Sequence, residues 1–462
     1  MKTLHPLKAT IVACGLLIAC FFPNQSHAQD STRIQKLDLR LPLADFPQTA
    51  KLPYHYPSMQ QSLTLSNTFY DAAFWGIDAA ANAVFGKPGT ENSRGKKILS
   101  ATARYGAGLA FARYGSELPV PLGVWAHEEF HRSVLGVNGV KSKNGNWLLS
   151  RWDGTVYGVS DESLSDLKQN NLPGLLYSYV AGVQSENMST RTNVIHDTYT
   201  KRSFYKNPLY AYNAFYVWNY FRFATSDLSD SAKVIAPEHE SSNPEERDFA
   251  GADLTAWVYD MFSPGEAYSS RTDFPNGEGE NRRIGYSELS KEGKDYLQQQ
   301  KKLSLLNFVN PAIFCINRFT AGDGFAFNAF FQYAPTHFGN DISVTVPVWT
   351  KKNNFLFAVH NYNNHTEPFF GAEFGLLDKP VGKNLELSFI AHGWSQPENQ
   401  DFFAMNAERG GAIEIDGSYA FTKNLRATAG ITAKSKGWMM GNPYLNSNIS
   451  CRAGISYSLL QN

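Results

Sequence analysis

Residues 448–460 read Asn-Ile-Ser-Cys-Arg-Ala-Gly-Ile-Ser-Tyr-Ser-Leu-Leu, and their alternation decides how the last third of the chain folds. Ile449, Cys451, Ala453, Ile455, Tyr457 and Leu459 fall on one side of an extended chain, and Ser450, Arg452, Gly454, Ser456 and Ser458 on the other. Successive side chains of a strand point to opposite faces, so the pattern predicts a strand with one apolar and one polar face. Just upstream, Leu425, Ala427, Ala429 and Ile431 oppose Arg426, Thr428, Gly430 and Thr432 in the same way. Eight such runs follow Gly322, at about 324–334, 341–350, 354–362, 367–377, 384–394, 411–421, 424–434 and 448–460. Their connections alternate in length: short at 351–353, 378–383 and 422–423, longer elsewhere, the longest at 395–410.

Over 322–462 this pattern resembles a small eight-stranded antiparallel β-barrel of the outer-membrane type, with short turns on one side and long loops on the other. The resemblance implies an apolar face toward outer-membrane lipid and a polar interior. It also implies both barrel ends on the periplasmic side, which puts the preceding region in the periplasm. A soluble eight-stranded sandwich or closed barrel alternates in the same way. The aromatic content, 14% with 32 Phe, 23 Tyr and 9 Trp at a mean hydropathy of −0.34, favours the membrane form, whose interfaces carry aromatic girdles. A barrel of eight strands is filled by its own side chains, so an anchor is expected rather than a channel.

The other end of the chain points to the same compartment. Lys2 and Lys8 precede an apolar run over 11–22, too short to span a bilayer, and Ser26-His27-Ala28 has the small residues of a cleavage site. This predicts a signal peptide over 1–28; a lipobox at Leu17-Ile18-Ala19-Cys20 is the alternative. The 462 residues balance 42 Lys+Arg against 42 Asp+Glu, which argues against a nucleic-acid partner held by net charge. With 43% apolar and 18% charged residues, the chain can bury a large core.

Between these ends, 29–321 reads as a mainly α-helical domain, so the whole is an α+β multidomain chain. Apolar residues recur at three- and four-residue spacing over 65–85, 97–114, 122–135, 172–188, 208–224, 254–262 and 287–308. The interruptions Asp71, Arg104, Arg113 and Glu186 suit helices of a soluble domain. The polar stretches 226–248 and 263–283 read as solvent loops. On the third helix, His127-Glu128-Glu129-Phe130-His131 forms an HExxH sequence between the apolar neighbours Val124, Ala126, Val134 and Leu135. Spacing i, i+4 sets both imidazoles on one face, where they can share a metal ion, with Glu128 beside them to take a proton.

This motif resembles that of the zincin metallopeptidases. The match covers five residues and their helix. It implies zinc held by His127 and His131, Glu128 as general base, and a peptide or protein substrate. The metzincin continuation is absent, since position 137 is Val, so the third ligand is expected as in gluzincins on a later helix. Glu186 is the first choice, on a segment where Ala181 and Gly182 allow close approach; His196 and Asp253 stay open as alternatives. Tyr199 and Tyr259 are candidate donors to a developing oxyanion. The expected function is a zinc-dependent metallopeptidase of the Gram-negative envelope, anchored in the outer membrane. The alternative is a non-catalytic outer-membrane scaffold or binding protein whose metal site is structural or degenerate.

Overall fold

A computed structural model describes residues 35–51, 57–87, 93–144, 154–200 and 205–461. The signal peptide expected over 1–28, with its Cys20 alternative, lies outside the described residues. The chain is α+β, with helices up to residue 304 and a large antiparallel sheet beyond it. The strands are β1 (Gln35–Phe46), the small pair β2 (Lys143–Asn144) and β3 (Val156–Tyr157), β4 (Phe319–Thr320), β5 (Phe325–Phe327) and β6 (Phe330–Thr336). Seven longer ones follow: β7 (Gly339–Thr350), β8 (Asn354–Asn363), β9 (Pro368–Pro380), β10 (Leu385–Pro397), β11 (Ala407–Ala420), β12 (Leu425–Lys434) and β13 (Asn448–Gln461). The last seven expected runs correspond to β7 through β13.

The expected closed barrel of eight strands is corrected in both number and closure. Eleven strands form one open sheet in the order β1-β13-β12-β11-β10-β9-β8-β7-β5-β4, with β6 also on β7. The run at 324–334 does not make one spanning strand. Its second part, β6, doubles back on the first half of β7 (Phe330↔Thr345 to Thr336↔Gly339), while β5 pairs with the end of β7. At the other end, β13 pairs not with this run but with β1, in the register Leu37↔Leu459, Leu39↔Tyr457, Leu41↔Ile455. The sheet therefore draws its end strand from chain that precedes all the helices.

The faces of this sheet are inverted relative to a water-soluble one. Ile449 is 64% exposed, Val359 58% and Phe370 68%, and Ile413, Ile415, Tyr419, Phe357, Phe374 and Phe389 are exposed beside them. The concave side instead buries charge. His360 bonds Asp341 at 2.9 Å and Glu373 at 3.0 Å. His392 bonds Glu414 at 2.9 Å, and Arg452 bonds Asp416 at 2.6 Å. His360 and His392 are thus interior members of a charge ladder. Their carboxylate partners satisfy them, and both line a cavity of about 290 Å³.

Nine helices carry the rest of the argument: α1 (Met59–Phe85), α2 (Arg94–Ala110), α3 (Gly123–Val137), α4 (Asp161–Asn170), α5 (Leu172–Tyr199), α6 (Asn207–Ala224), α7 (Asp227–Ile235), α8 (Asp253–Phe262) and α9 (Lys291–Ser304). Each expected helix is present. Ser58 starts α1 by a reciprocal capping box with Gln61, and Asn171 caps α5 at the amide of Gly174. The stretches expected as solvent loops are exposed over much of their length but tied down by buried ion pairs. The first contains α7, and its Glu240 pairs with Arg283 at 2.6 Å. In the second, Arg271 and Arg282 are buried against Asp260 and Asp161 at 2.8 and 2.7 Å. Short polar segments hide such ion pairs from a reading based on periodicity.

The 28-residue helix α5 joins the two regions. Its first half packs on α3, and its second half enters the concave side of the sheet, where Arg191 pairs with Glu373.

Candidate metal centre

Every residue of α3 from Trp125 to Gly136 is buried. Phe130, Val134 and Leu135 join the main apolar core. Of the charged residues, Glu129 and Arg132 neutralise each other at 2.6 and 2.9 Å, and Asn144 donates to Glu129 at 3.0 Å. That leaves His127, Glu128 and His131 as a polar group on a buried helix, where unpaired polarity is costly.

Their partners come from α5 and α8. Nδ1 of His131 donates to the carbonyl of Ser178, and Nδ1 of His127 lies 3.3 Å from a carboxylate oxygen of Glu186. These contacts fix both rings and leave both Nε2 atoms turned to the same space. A carboxylate oxygen of Asp253 stands 4.0 Å from Nε2 of His127 and 3.5 Å from Nε2 of His131. His127, His131 and Asp253 each offer a ligand atom within 4.8 Å of the others, so this group can hold a metal ion. The hydroxyl of Tyr220 donates to the same oxygen of Asp253.

The space between the rings is kept open by Gly182 on α5. A Cβ at that position would lie 2.2 Å from Nε2 of His131 and 2.3 Å from Nε2 of His127. Glycine therefore lets α5 pass close to both nitrogens, and any side chain there would run into the Nε2 atoms. The donor set, two imidazoles and a carboxylate with an outer carboxylate on one Nδ1, also fits a zinc site.

The electrostatics point the same way. Burial pulls the His127 pKa down, but Glu186, Asp253 and Glu128 outweigh it and hold the value well above the usual range. Burial lowers His131 to about 4, against an opposing pull from Asp253. Burial alone would raise Asp253, yet His131, His127 and Tyr220 keep it below the ordinary carboxylate value. The carboxylates and the imidazoles thus stabilise each other's charged forms.

The expected site residues thus separate. His127, Glu128, His131, Glu186 and Asp253 gather in one buried cluster. Glu186 is at Nδ1 of His127, and Asp253 faces the two Nε2 atoms. An ion shared by both rings must lie on the Nε2 side, because the backbone of Ser178 occupies Nδ1 of His131. His196 is elsewhere, 42% exposed by its side chain and facing a second cavity under the sheet. Tyr199 donates to the Phe355 carbonyl at 2.7 Å, and Tyr259 lies against Lys168, so neither reaches the centre.

Two residues of α6 that no sequence motif singles out do reach it. Tyr216 and Tyr220 stack at 6.1 Å, and each meets the His127 ring edge-on at 5.8 Å. Burial, with the carboxylates nearby, raises both hydroxyl pKa values well above the usual range, so they stay protonated donors. Their four-residue spacing, continued back to Tyr212, is the signal that could have marked a polar edge on an aromatic helix. No protein-family model matches the chain, and no curated protein or solved structure matches it either.

Proposed function

We propose that this protein is a zinc-dependent metallopeptidase of the Gram-negative cell envelope, held in the outer membrane by its β-sheet. The observation that carries the catalytic half is the convergence of Asp253 on the Nε2 atoms of an HExxH pair, three ligand atoms within 4.8 Å of one another. Zinc is the ion that two imidazoles and one carboxylate suit, with a position left for water and substrate. His127, His131 and Asp253 would hold it. Glu186 would fix the His127 ring through Nδ1, and Ser178 would fix His131. When bound, the ion would lower the pKa of a coordinated water and polarise the scissile carbonyl. Glu128 would take the proton from the attacking water and pass it to the leaving amine. Tyr220 would hold Asp253, and Tyr216 would offer a hydroxyl to the carbonyl oxygen as charge develops.

The inverted sheet supports the membrane half. An exposed apolar face spread over six long strands, β8 to β13, and β1 is broader than the scattered apolar residues of a soluble monomer's surface. Its buried polar lining is what a membrane sheet keeps away from lipid. Among the described residues no helix is long and apolar enough to cross a membrane, so the sheet is the candidate anchor.

The test is hydrolysis of casein by the zinc-loaded, detergent-solubilised protein beside Glu128→Gln. The expected result is about a 10²–10⁴-fold loss of rate with zinc content unchanged. Equal activity in the two proteins would overturn the peptidase reading. A zinc-loaded wild type inert toward casein and a panel of unfolded proteins would favour a scaffold with a structural metal.

A further inference from the structure

The two ends of the sheet differ. The connections 351–353, 381–384 and 421–424 are short and lie at one end, and the two long ones, 398–406 and 435–447, lie at the other. β1 begins at the short-turn end, where Gln35 pairs with Gln461, and finishes at the long-loop end, where Phe46 pairs with Cys451. The long loops are not loose. Lys434 donates to the carbonyls of Gly437 and Asn446 at 2.6 and 3.1 Å, and Gln396 donates to that of Trp438 at 2.7 Å.

The metal centre belongs to the long-loop end. There Gln60, at the start of α1, donates to the Gly441 carbonyl at 2.7 Å. The helix that supplies Asp253, α8, ends against the loop 398–406, with Phe262 edge-on to Phe402 at 5.1 Å. Glu292 of α9 lies 3.2 Å from His365, in the connection between β8 and β9. Along α5 the height can be measured. Tyr177 donates to the Asn442 carbonyl at 2.9 Å and Gln184 to the Pro335 carbonyl at 2.8 Å, both near the long-loop end. Tyr199, the last residue of the helix, reaches Phe355 beside the 351–353 turn. Gly182, at the metal centre, is thus about 25 Å along α5 from the short-turn end.

We infer that the metal centre lies on the outer side of the outer membrane, so that the protein is a cell-surface enzyme whose substrates are polypeptides of the surrounding medium. This rests on the reading of the sheet as membrane-embedded and of the centre as a peptidase. Outer-membrane strands are joined by short turns on the periplasmic side and by longer loops outside, and the helices that hold the centre stand on the longer loops. The chain reaches that side through β1. A tilted strand crosses the hydrocarbon with about 9–11 residues, and β1 has 12. The expectation of a periplasmic helical region counted eight crossings after the helices. β6 has only 7 residues, so seven long strands follow the helices, and β1, which precedes them, is the eighth.

The experiment uses intact Gram-negative cells that carry the full chain with one added cysteine, Cys315 and Cys451 being replaced by serine. Asn276, between α8 and α9, and Met405, in the loop 398–406, report on the long-loop end, and Lys383 and Lys423 on the short turns; all four are exposed. The probe is a polyethylene glycol maleimide too large for outer-membrane pores. In intact cells Asn276→Cys and Met405→Cys should label about ten-fold or more over Lys383→Cys and Lys423→Cys, and all four should label once the outer membrane is opened. Two positions at each end keep the outcome independent of any one variant that misfolds. Equal or reversed labelling, or none until the membrane is opened, would overturn this inference and leave the membrane sheet standing. Recovery of the protein in the soluble periplasmic fraction would sink the membrane reading, and this inference with it. Casein added to the intact cells should be cut by wild type and spared by Glu128→Gln. Cells that spare casein while the purified zinc-loaded protein cuts it would overturn the substrate assignment. A purified protein inert toward casein would instead end the peptidase reading, with the labels still deciding which side the centre faces.

Discussion

The metal centre and the sheet bury charge for opposite reasons. Around α3, an apolar shell encloses His127, His131, Asp253 and Glu186, and their polarity converges on one point beside Gly182. In the sheet, polar side chains fill the concave interior and the apolar ones face out, so Ile413 and Ile415 stand exposed while Glu414 between them pairs with His392. The centre gathers its carboxylates around two imidazoles in a geometry that can hold a metal ion. A sheet that balances its interior charges pair by pair, Asp341–His360–Glu373 and onward, needs none. The difference teaches that buried histidines must be sorted by what their second nitrogen faces. Those of the sheet meet different carboxylates on their two nitrogens, whereas those of α3 turn both Nε2 atoms toward one shared carboxylate, Asp253.

The largest expected effect breaks the centre without touching a ligand. Gly182→Ala puts a methyl group between the two Nε2 atoms, so zinc binding should fall by more than about 10³-fold, with helicity unchanged by circular dichroism. Tight zinc binding by this variant would mean that the ion sits elsewhere.

The junction of the two regions carries a pH dependence. His337, in the turn where β6 doubles back on β7, packs on Tyr177 of α5, and burial lowers its pKa to about 3, against a smaller opposing pull from Gln400. The folded state therefore binds this proton less readily than the unfolded chain. Its contribution is fully present above about pH 6.5 and declines as pH falls toward 3, by up to about 4 kcal/mol. Urea midpoints at pH 7 and pH 4 should show that slope in wild type and a flatter one in His337→Leu.

On the sheet, Ile415→Lys should cost about 2–4 kcal/mol for insertion into vesicles if that face meets lipid. In a water-exposed sheet the same change would stay within about 0.5 kcal/mol. Smallest is Glu186→Gln, which keeps an oxygen near Nδ1 of His127 but removes its charge. Zinc affinity should drop about 10–100-fold, read by competition with a chelating dye.

Much of this was legible in the sequence, for reasons that also explain the rest. The alternation of β7 to β13 and the i, i+4 histidines are local patterns set by backbone periodicity. β1 carries the same signal at Leu37-Asp38-Leu39-Arg40-Leu41-Pro42-Leu43, but it lies far from its partner β13, and no local rule says which strands become neighbours. Glu186 shares a helix face with Gly182, four residues away, which is why it pointed to the right pocket. Which ring nitrogen it meets depends on how α5 crosses α3, and Asp253 enters from a third helix.

The central claim is that His127, His131 and Asp253 hold one zinc ion. Elemental analysis of protein purified from zinc-supplemented cells tests it most directly. The account predicts one zinc per chain in wild type and less than about a tenth of that in His131→Ala and in Asp253→Ala. A metal-free wild type would contradict it, as would an Asp253→Ala protein that keeps its zinc while Glu186→Ala loses it.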